Sequence, residues 1–170
     1  MAVPLRIFLV GPMGAGKTTI GSQLARAMKC EFIDCDHELE QRTGASVSLI
    51  FDIEGEAGFR ERESKLIDEL TQRADIVLAT GGGAVLADAN RRYLHQRGFV
   101  VYLKTPVDKL VERTRHDVAR PLLRTSDPEG TLRDIVMGRE PLYEEIAHLV
   151  VDTGKLSVKQ VIKRITGNLP

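Results

Sequence analysis

The segment Gly11-Pro12-Met13-Gly14-Ala15-Gly16-Lys17-Thr18 constrains the fold more than any other part of the chain. It fits G-x-x-x-x-G-K-[ST] at every fixed position, between the apolar run "IFLV" (7–10) and a segment with helical spacing. Glycines let successive N–H groups turn inward and approach phosphate oxygens with no Cβ in the way. A helix starting near Lys17 presents its unpaired N–H groups and positive dipole end to the same anion. Lys17 is placed to reach the β- and γ-phosphates of a nucleotide, and Thr18 to offer a hydroxyl to Mg²⁺. Gly14, Ala15, Gly16, Lys17, Thr18 and Thr19 are therefore the expected nucleoside triphosphate cradle.

The rest of the chain repeats this alternation of strand and helix. Apolar, β-branched runs recur at "EFID" (31–34), "DIVLAT" (75–80), "FVVYL" (99–103) and "HLVVD" (148–152). Most are continuous, as expected of strands buried on both faces. Between them lie helical stripes: Ile20, Leu24, Ala27 and Met28; then Phe59, Leu66, Ile67 and Leu70; then Val107, Leu110 and Val111, with Pro106 at a first-turn position. The pattern reads as an α/β fold, a parallel sheet with helices on both faces. At 170 residues, with no linker, repeat or low-complexity tract, the chain reads as one domain over 1–170. One stretch departs from the pattern. Residues 113–130 crowd Arg113, Arg115, Arg120 and Arg124 into a long irregular excursion closing with Pro and Gly, of the kind that often serves as a lid.

A triphosphate cradle serves either a nucleotide-gated switch or a phosphoryl-transfer enzyme. A GTPase is expected to carry a guanine-reading N-K-x-D, and the sequence has none. Two D-x-x-G matches, Asp52–Gly55 and Asp127–Gly130, have only two fixed positions each. The 24 basic and 24 acidic residues cancel, whereas nucleic-acid and membrane-surface proteins usually carry a basic excess. No apolar run is long enough for a signal-peptide core or a membrane span. Cys30 and Cys35 match no metal spacing and read as free thiols of a reducing compartment. The expectation is a soluble, cytoplasmic, monomeric protein whose partner is a small molecule, with no nucleic acid and no membrane.

The third apolar run ends in Gly81-Gly82-Gly83 and lacks the acidic residue that most such proteins place there to support Mg²⁺. "FIDCD" (32–36) offers the carboxylate instead. In an extended strand Asp34 and Asp36 point to one side and Cys35 to the other, at the carboxyl end where open α/β sheets bind ligands. Asp36 also has the position of an N-cap for a helix beginning "HELEQ". Taken alone, Gly81 to Gly83 read as a tight turn or a close approach to a ligand. Arg60 and Arg139 alone read as surface ion pairs.

Read together, these segments resemble the shikimate kinase family. The resemblance rests on "GPMGAGKTTIG", "FIDCD" before "HELEQRTG", "EGEAGFRERE" (54–63), "ATGGGAV" (79–85), "ARPLL" (119–123) and "GREPLYEEIA" (138–147), which follow in order over nearly the whole chain. It implies a three-layer α/β/α P-loop kinase fold with a central, mostly five-stranded parallel sheet. It also implies ATP-dependent phosphorylation of the 3-hydroxyl of shikimate, giving shikimate 3-phosphate and ADP on the route to chorismate and the aromatic amino acids. By the same resemblance Thr18 binds Mg²⁺ and Asp34 supports it through water. Asp36 hydrogen-bonds substrate hydroxyls and is the proposed base. Arg60 and Arg139 hold the substrate carboxylate, with Gly81, Gly82 and Gly83 lending backbone N–H groups. Arg120 is the lid arginine on the ATP phosphates, catalytic together with Lys17 and Asp36, and Arg113 is a second nucleotide-side arginine. A guanidinium's planar fork suits a carboxylate, so an anionic substrate is expected to recruit arginines. Thr18-Thr19 stands where Ser-Thr is also common, and either hydroxyl can bind Mg²⁺. The loop from Thr153 to Ser157 should border the adenine. A kinase of another small polyol, such as gluconate, would share the cradle; the triple glycine and both arginine contexts argue against it.

Overall fold

The computed structural model describes residues 3–115 and 125–170. The five apolar runs are strands: β1 (Arg6–Val10), β2 (Glu31–Asp34), β3 (Ile76–Ala79), β4 (Phe99–Lys104) and β5 (Leu149–Asp152). They form one parallel sheet in the order β2-β3-β1-β4-β5. Phe8 of β1 sits opposite Leu78 on one side and Val100 on the other. The inner strands β1, β3 and β4 are buried along almost their whole length, while the edge strands expose part of theirs. Burial on both faces is what makes the inner runs continuously apolar.

Seven α-helices are present among the described residues: α1 (Lys17–Met28), α2 (Cys35–Thr43), α3 (Val47–Leu70), α4 (Asp88–Arg97), α5 (Val107–Thr114), α6 (Pro128–Ile146) and α7 (Val158–Thr166). One core, with Phe8, Ile33, Phe59, Ile67, Leu94 and Tyr143, lies under α2, α3, α4 and α6. The other, with Ile7, Leu9, Leu24, Leu110, Val161 and Ile165, lies under α1, α5 and α7. This is the expected three-layer arrangement. From β1 the chain runs to one side for β2 and β3, then crosses to the other for β4 and β5. Strand order therefore reverses beside β1, and a crevice opens at its carboxyl end, where the glycine-rich loop begins.

Local departures from the sequence reading have physical causes. In α1 the buried face is Ile20, Gly21, Leu24 and Ala25, and Ala27 is exposed. Ile20 and Leu24 of the expected stripe are buried and Met28 packs on the core, so only Ala27 departs from it, and the face extends to Gly21, where a Cβ would collide with the Phe32 ring and lie 3.2 Å from Leu9 Cδ1. A glycine contributes nothing to an apolar stripe, so the stripe alone does not show that Gly21 belongs to the buried face. Pro106 stands one residue before the first turn of α5, as its N-cap. Within α3 the backbone leaves helical geometry at Gly55 (φ 74°, ψ 177°), so the Asp52–Gly55 match is a bend between two helical pieces. The excursion read over 113–130 is shorter at both ends. Arg113 belongs to α5, and Asp127 caps α6 by accepting the Gly130 N–H. Residues 116–124, with Arg120, lie outside the described residues.

Candidate active site

Between β1 and α1 the loop turns at Gly14 and Gly16, with φ of 84° and 94°, a region that side chains rarely adopt. Gly16 is the N-cap of α1 and supplies no capping side chain, so the first-turn amides remain for an outside acceptor. Lys17 Nζ donates to the Gly11 and Pro12 carbonyls at 2.6 and 2.9 Å, folded over its own loop. Arg113 Nη1 donates to the Gly14 carbonyl at 2.8 Å and ties the end of α5 to the same loop.

Thr18 and Asp34 meet directly, with Thr18 Oγ1 donating to Asp34 Oδ2 at 2.6 Å. Asp34 also caps α2, its Oδ1 accepting the His37 N–H at 3.1 Å. That cap overturns two expectations about "FIDCD". The strand ends at Asp34, so Asp36 sits in the first helical turn and not along the strand, and the capping role belongs to Asp34 rather than Asp36. Cys35 turns into the core, where burial pushes its thiol well above the ordinary range. Both carboxylates still face one cleft, of about 880 Å³, shared with the loop, Gly81 to Gly83, Arg60, Arg139 and Thr153. Among the described residues no group of three or more His, Cys, Asp or Glu could hold a metal. Mg²⁺ needs none, because one or two side-chain oxygens plus phosphates and water complete its shell. The hard oxygens of Thr18 and Asp34 fit that mode.

The opposite end of the cleft is built around the glycine turn. Thr80 anchors it to β1, its N–H and Oγ1 both donating to the Leu9 carbonyl at 3.1 and 2.9 Å. A Cβ on Gly81 would lie 2.9 Å from Glu63 Oε2 and 3.0 Å from Asp36 Oδ1. One on Gly82 would lie 3.3 Å from Met13 N and 3.7 Å from Arg139 Nη1, and one on Gly83 would strike the Arg60 guanidinium. The three glycines thus give backbone room to two carboxylates, two guanidinium groups and the phosphate loop. Arg60, on α3, donates from Nη1 to Glu63 Oε1 at 2.9 Å and leans over the Phe59 ring. Arg139, on α6, is buried at 7% exposure, and burial lowers its pKa, with Tyr143 opposing and Arg60 adding to the shift. Distant parts of the chain do converge here, as the resemblance implied.

Two residues of this end were not singled out from the sequence. Glu63 is 2% exposed, and burial raises its carboxyl above the usual range, with Arg60 opposing. Its Oε2, like Arg60 Nε, is buried with no hydrogen-bond partner among the described residues. The signal was present: Glu63 falls four residues after Phe59 and four before Ile67, on the apolar stripe of α3. Tyr143, one turn beyond Arg139, is fully buried and donates to the Gly82 carbonyl at 2.5 Å. At the far side, Thr153 Oγ1 meets Thr105 Oγ1 at 2.6 Å, and Thr153 and Leu156 line the cleft where the adenine loop was expected.

A phosphate-cradling loop at one end of the cleft and converging arginines at the other, on a parallel sheet whose order reverses at that loop, define a P-loop small-molecule kinase. Comparison with known proteins narrows the class. A family model described as "Shikimate kinase" matches residues 13–170. The chain is 61% identical to the shikimate kinase of Bordetella avium over 165 residues, covering 97% of this chain and 79% of that one. It is 57% identical to that of Halorhodospira halophila, covering 95% and 92%. The solved structure of shikimate kinase from Acinetobacter baumannii in complex with shikimate superposes with a TM-score of 0.94 at 48% identity, covering 99% and 97%. A gluconokinase from Sinorhizobium meliloti, at 18% identity and a TM-score of 0.61, shares the fold. This chain belongs to the shikimate kinase family, enzymes that phosphorylate shikimate with ATP on the way to aromatic amino acids. No helix among the described residues is long and apolar enough to cross a membrane.

Proposed function

We propose that the chain acts as one kinase domain over 1–170, moving the γ-phosphoryl group of ATP to the 3-hydroxyl of shikimate as a cytoplasmic monomer. The observation that carries this reading is the convergence of Arg60 and Arg139 on the glycine turn, with Asp36 beside it and the phosphate loop against Gly82. A carboxylate held by the two arginines orients a ring hydroxyl towards Asp36. The hydroxyl oxygen bonds to the γ-phosphorus as the bond to the β,γ-bridging oxygen breaks, and the hydroxyl proton passes to the Asp36 carboxylate. Asp36 thus both aims the hydroxyl and takes its proton.

At the donor end Gly14, Ala15, Gly16, Thr18 and Thr19 hold the phosphates by backbone amides. Lys17 leaves its two carbonyls for the β/γ oxygens, and Arg113 stands on the nucleotide side. Thr18 and Asp34 would hold Mg²⁺, which neutralises charge on the phosphates. Arg120, outside the described residues, is assigned to the phosphates from a lid between α5 and α6, whose closure excludes water.

A coupled ADP-release assay with shikimate, with gluconate and without acceptor tests the reading. Shikimate alone should give rapid, magnesium-dependent release; equal release without acceptor would make the chain a plain ATPase. Asp36→Asn keeps the shape and should lower kcat by about 10²–10⁴-fold, the worth of a positioned base, while ATP binding persists. Turnover within a few-fold of wild type would leave Asp36 with no part in the chemistry.

A further inference from the structure

Arg60 and Arg139 border the glycine turn, but neither fixes the turn between them. A Gly-Gly peptide has little of its own to hold its orientation, since both flanking residues are free to rotate. We propose that Tyr143 is a positioning residue for acceptor binding: it locks the Gly82–Gly83 peptide with its N–H turned into the cleft and braces Arg139 beside it. This deepens the reading above and rests on the acceptor being a carboxylate.

The phenol O–H donates to the Gly82 carbonyl at 2.5 Å from below the turn. The described chain has no cis peptide. In a trans unit the N–H points opposite the carbonyl, so the Gly83 N–H faces away from Tyr143. Gly83 is buried and lines the cleft. The carbonyls of the turn are satisfied, Gly81 O by Ala84 N and Gly83 O by Leu86 N, both at 3.1 Å. The Gly82 and Gly83 N–H groups donate to nothing among the described residues. Buried backbone donors are almost always paired, so the buried Gly83 N–H calls for an acceptor from outside the chain, with the half-buried Gly82 N–H beside it. An anion held by Arg60 and Arg139 supplies one.

Tyr143 itself cannot move. It is fully buried, and its ring stacks on the equally buried Tyr102 with centroids 5.0 Å apart. The Arg139 guanidinium lies beside its oxygen, one helical turn earlier on α6. Burial pushes the phenol up to about 12, so it remains a donor at any working pH. One hydroxyl therefore couples the backbone donors to the guanidinium that shares their ligand.

The test is Tyr143→Phe in the full chain, which keeps the ring and removes one oxygen. KM for shikimate should rise roughly 3- to 10-fold, the worth of one hydrogen bond. The kcat and the KM for ATP should stay within about twofold, because the contact is made equally in ground and transition states. Shikimate carboxamide should be penalised less in the variant than in wild type, since both changes touch one interaction. A folded variant with an unchanged KM for shikimate would overturn the proposal. A second measurement needs no variant: saturating shikimate should slow hydrogen exchange at the Gly83 amide of the wild type, and an unaffected rate overturns the proposal equally. Wild-type turnover of shikimate checks the underlying reading separately. If that fails, both fall; if it holds and the Gly83 or KM result fails, only the role of Tyr143 falls.

Discussion

Gly83→Ala separates the arginine pocket from everything else the site does. The backbone at Gly83 has φ −98°, which any residue adopts, so the new methyl strains no dihedral angle. Its position, however, is 2.6 Å from both Cζ and Nη1 of Arg60. The guanidinium must leave, and with it goes the 2.9 Å bond from Nη1 to Glu63. Arg60 is the flexible end of a side chain that is 20% exposed, so it has somewhere to go. What it loses is its hold on the acceptor. A hydrogen bond to a charged group contributes about 1.5–3 kcal/mol, which at about 1.36 kcal/mol per decade is roughly a 10- to 150-fold rise in KM for shikimate. The methyl also leaves the Glu63 carboxylate without its cation, so some stability is lost. In a chain this long each 1 kcal/mol moves Tm by roughly 2–4 °C, which a melt in the same buffer reads directly. Steady-state kinetics on Gly83→Ala, Arg60→Ala and the double variant complete the assay. The double variant should be no worse than the worse single, because both remove one interaction. A KM for shikimate within twofold of wild type, or fully additive penalties in the double variant, would refute the idea that Gly83 exists to admit Arg60.

Two further predictions address charge. Asp34→Asn retains the cap on α2, since asparagine caps as well as aspartate, but removes the negative charge beside Thr18. The magnesium concentration for half-maximal rate should rise at least about tenfold with Tm little changed, and an unchanged titration would take Asp34 out of the metal site. Glu63→Gln removes a carboxyl whose folded-state pKa is raised by burial. The stability that the titrating group contributes is complete below its unfolded value of about 4.3 and is lost as pH rises through the higher folded value. The Tm of wild type minus that of Glu63→Gln should therefore fall as pH climbs from about 4 to 7, and a difference constant over that range would show the carboxyl to be unstrained.

The sheet was legible in the sequence because its inner strands are buried on both faces and leave nothing polar to confuse the pattern. The phosphate loop was legible for a related reason, since its chemistry is written in consecutive residues. What failed did so where a local signal was too small to see. Gly21 lies on the buried face of α1 against Phe32 and leaves no mark on the apolar stripe. β2 ends at Asp34, as the run 31–34 implied, but the alternation that put Asp36 beside it two residues on fails, because the Asp34 carboxylate caps α2. The acceptor pocket was legible only through its resemblance to a family. Arg60 and Arg139 come from α3 and α6, and no spacing within either helix announces that they meet. Glu63 and Tyr143 did leave a trace, an acid on an apolar stripe and an aromatic one turn beyond a buried arginine. Each trace acquires meaning only when the other side of the cleft is in view.

Why the pocket holds an acid at all follows from its charges. Burial disfavours the cationic form of Arg139, and the nearby Arg60 guanidinium adds to the effect. Two desolvated guanidinium groups with no anion would oppose folding, because a buried charge is tolerable only when paired. Glu63 meets that need for one of them: it binds Arg60 through Nη1 and is itself buried. The pair leaves Arg60 Nε without a partner among the described residues and Arg139 with a phenol as its neighbour. Glu56 Oε2 also lies 3.8 Å from Arg60 Nη2, and Asp36 shares the space at Gly81 with Glu63, so an incoming carboxylate replaces acids of the protein at the guanidinium groups. The arrangement is a compromise between an apo protein that must be stable and a site that must still want an anion.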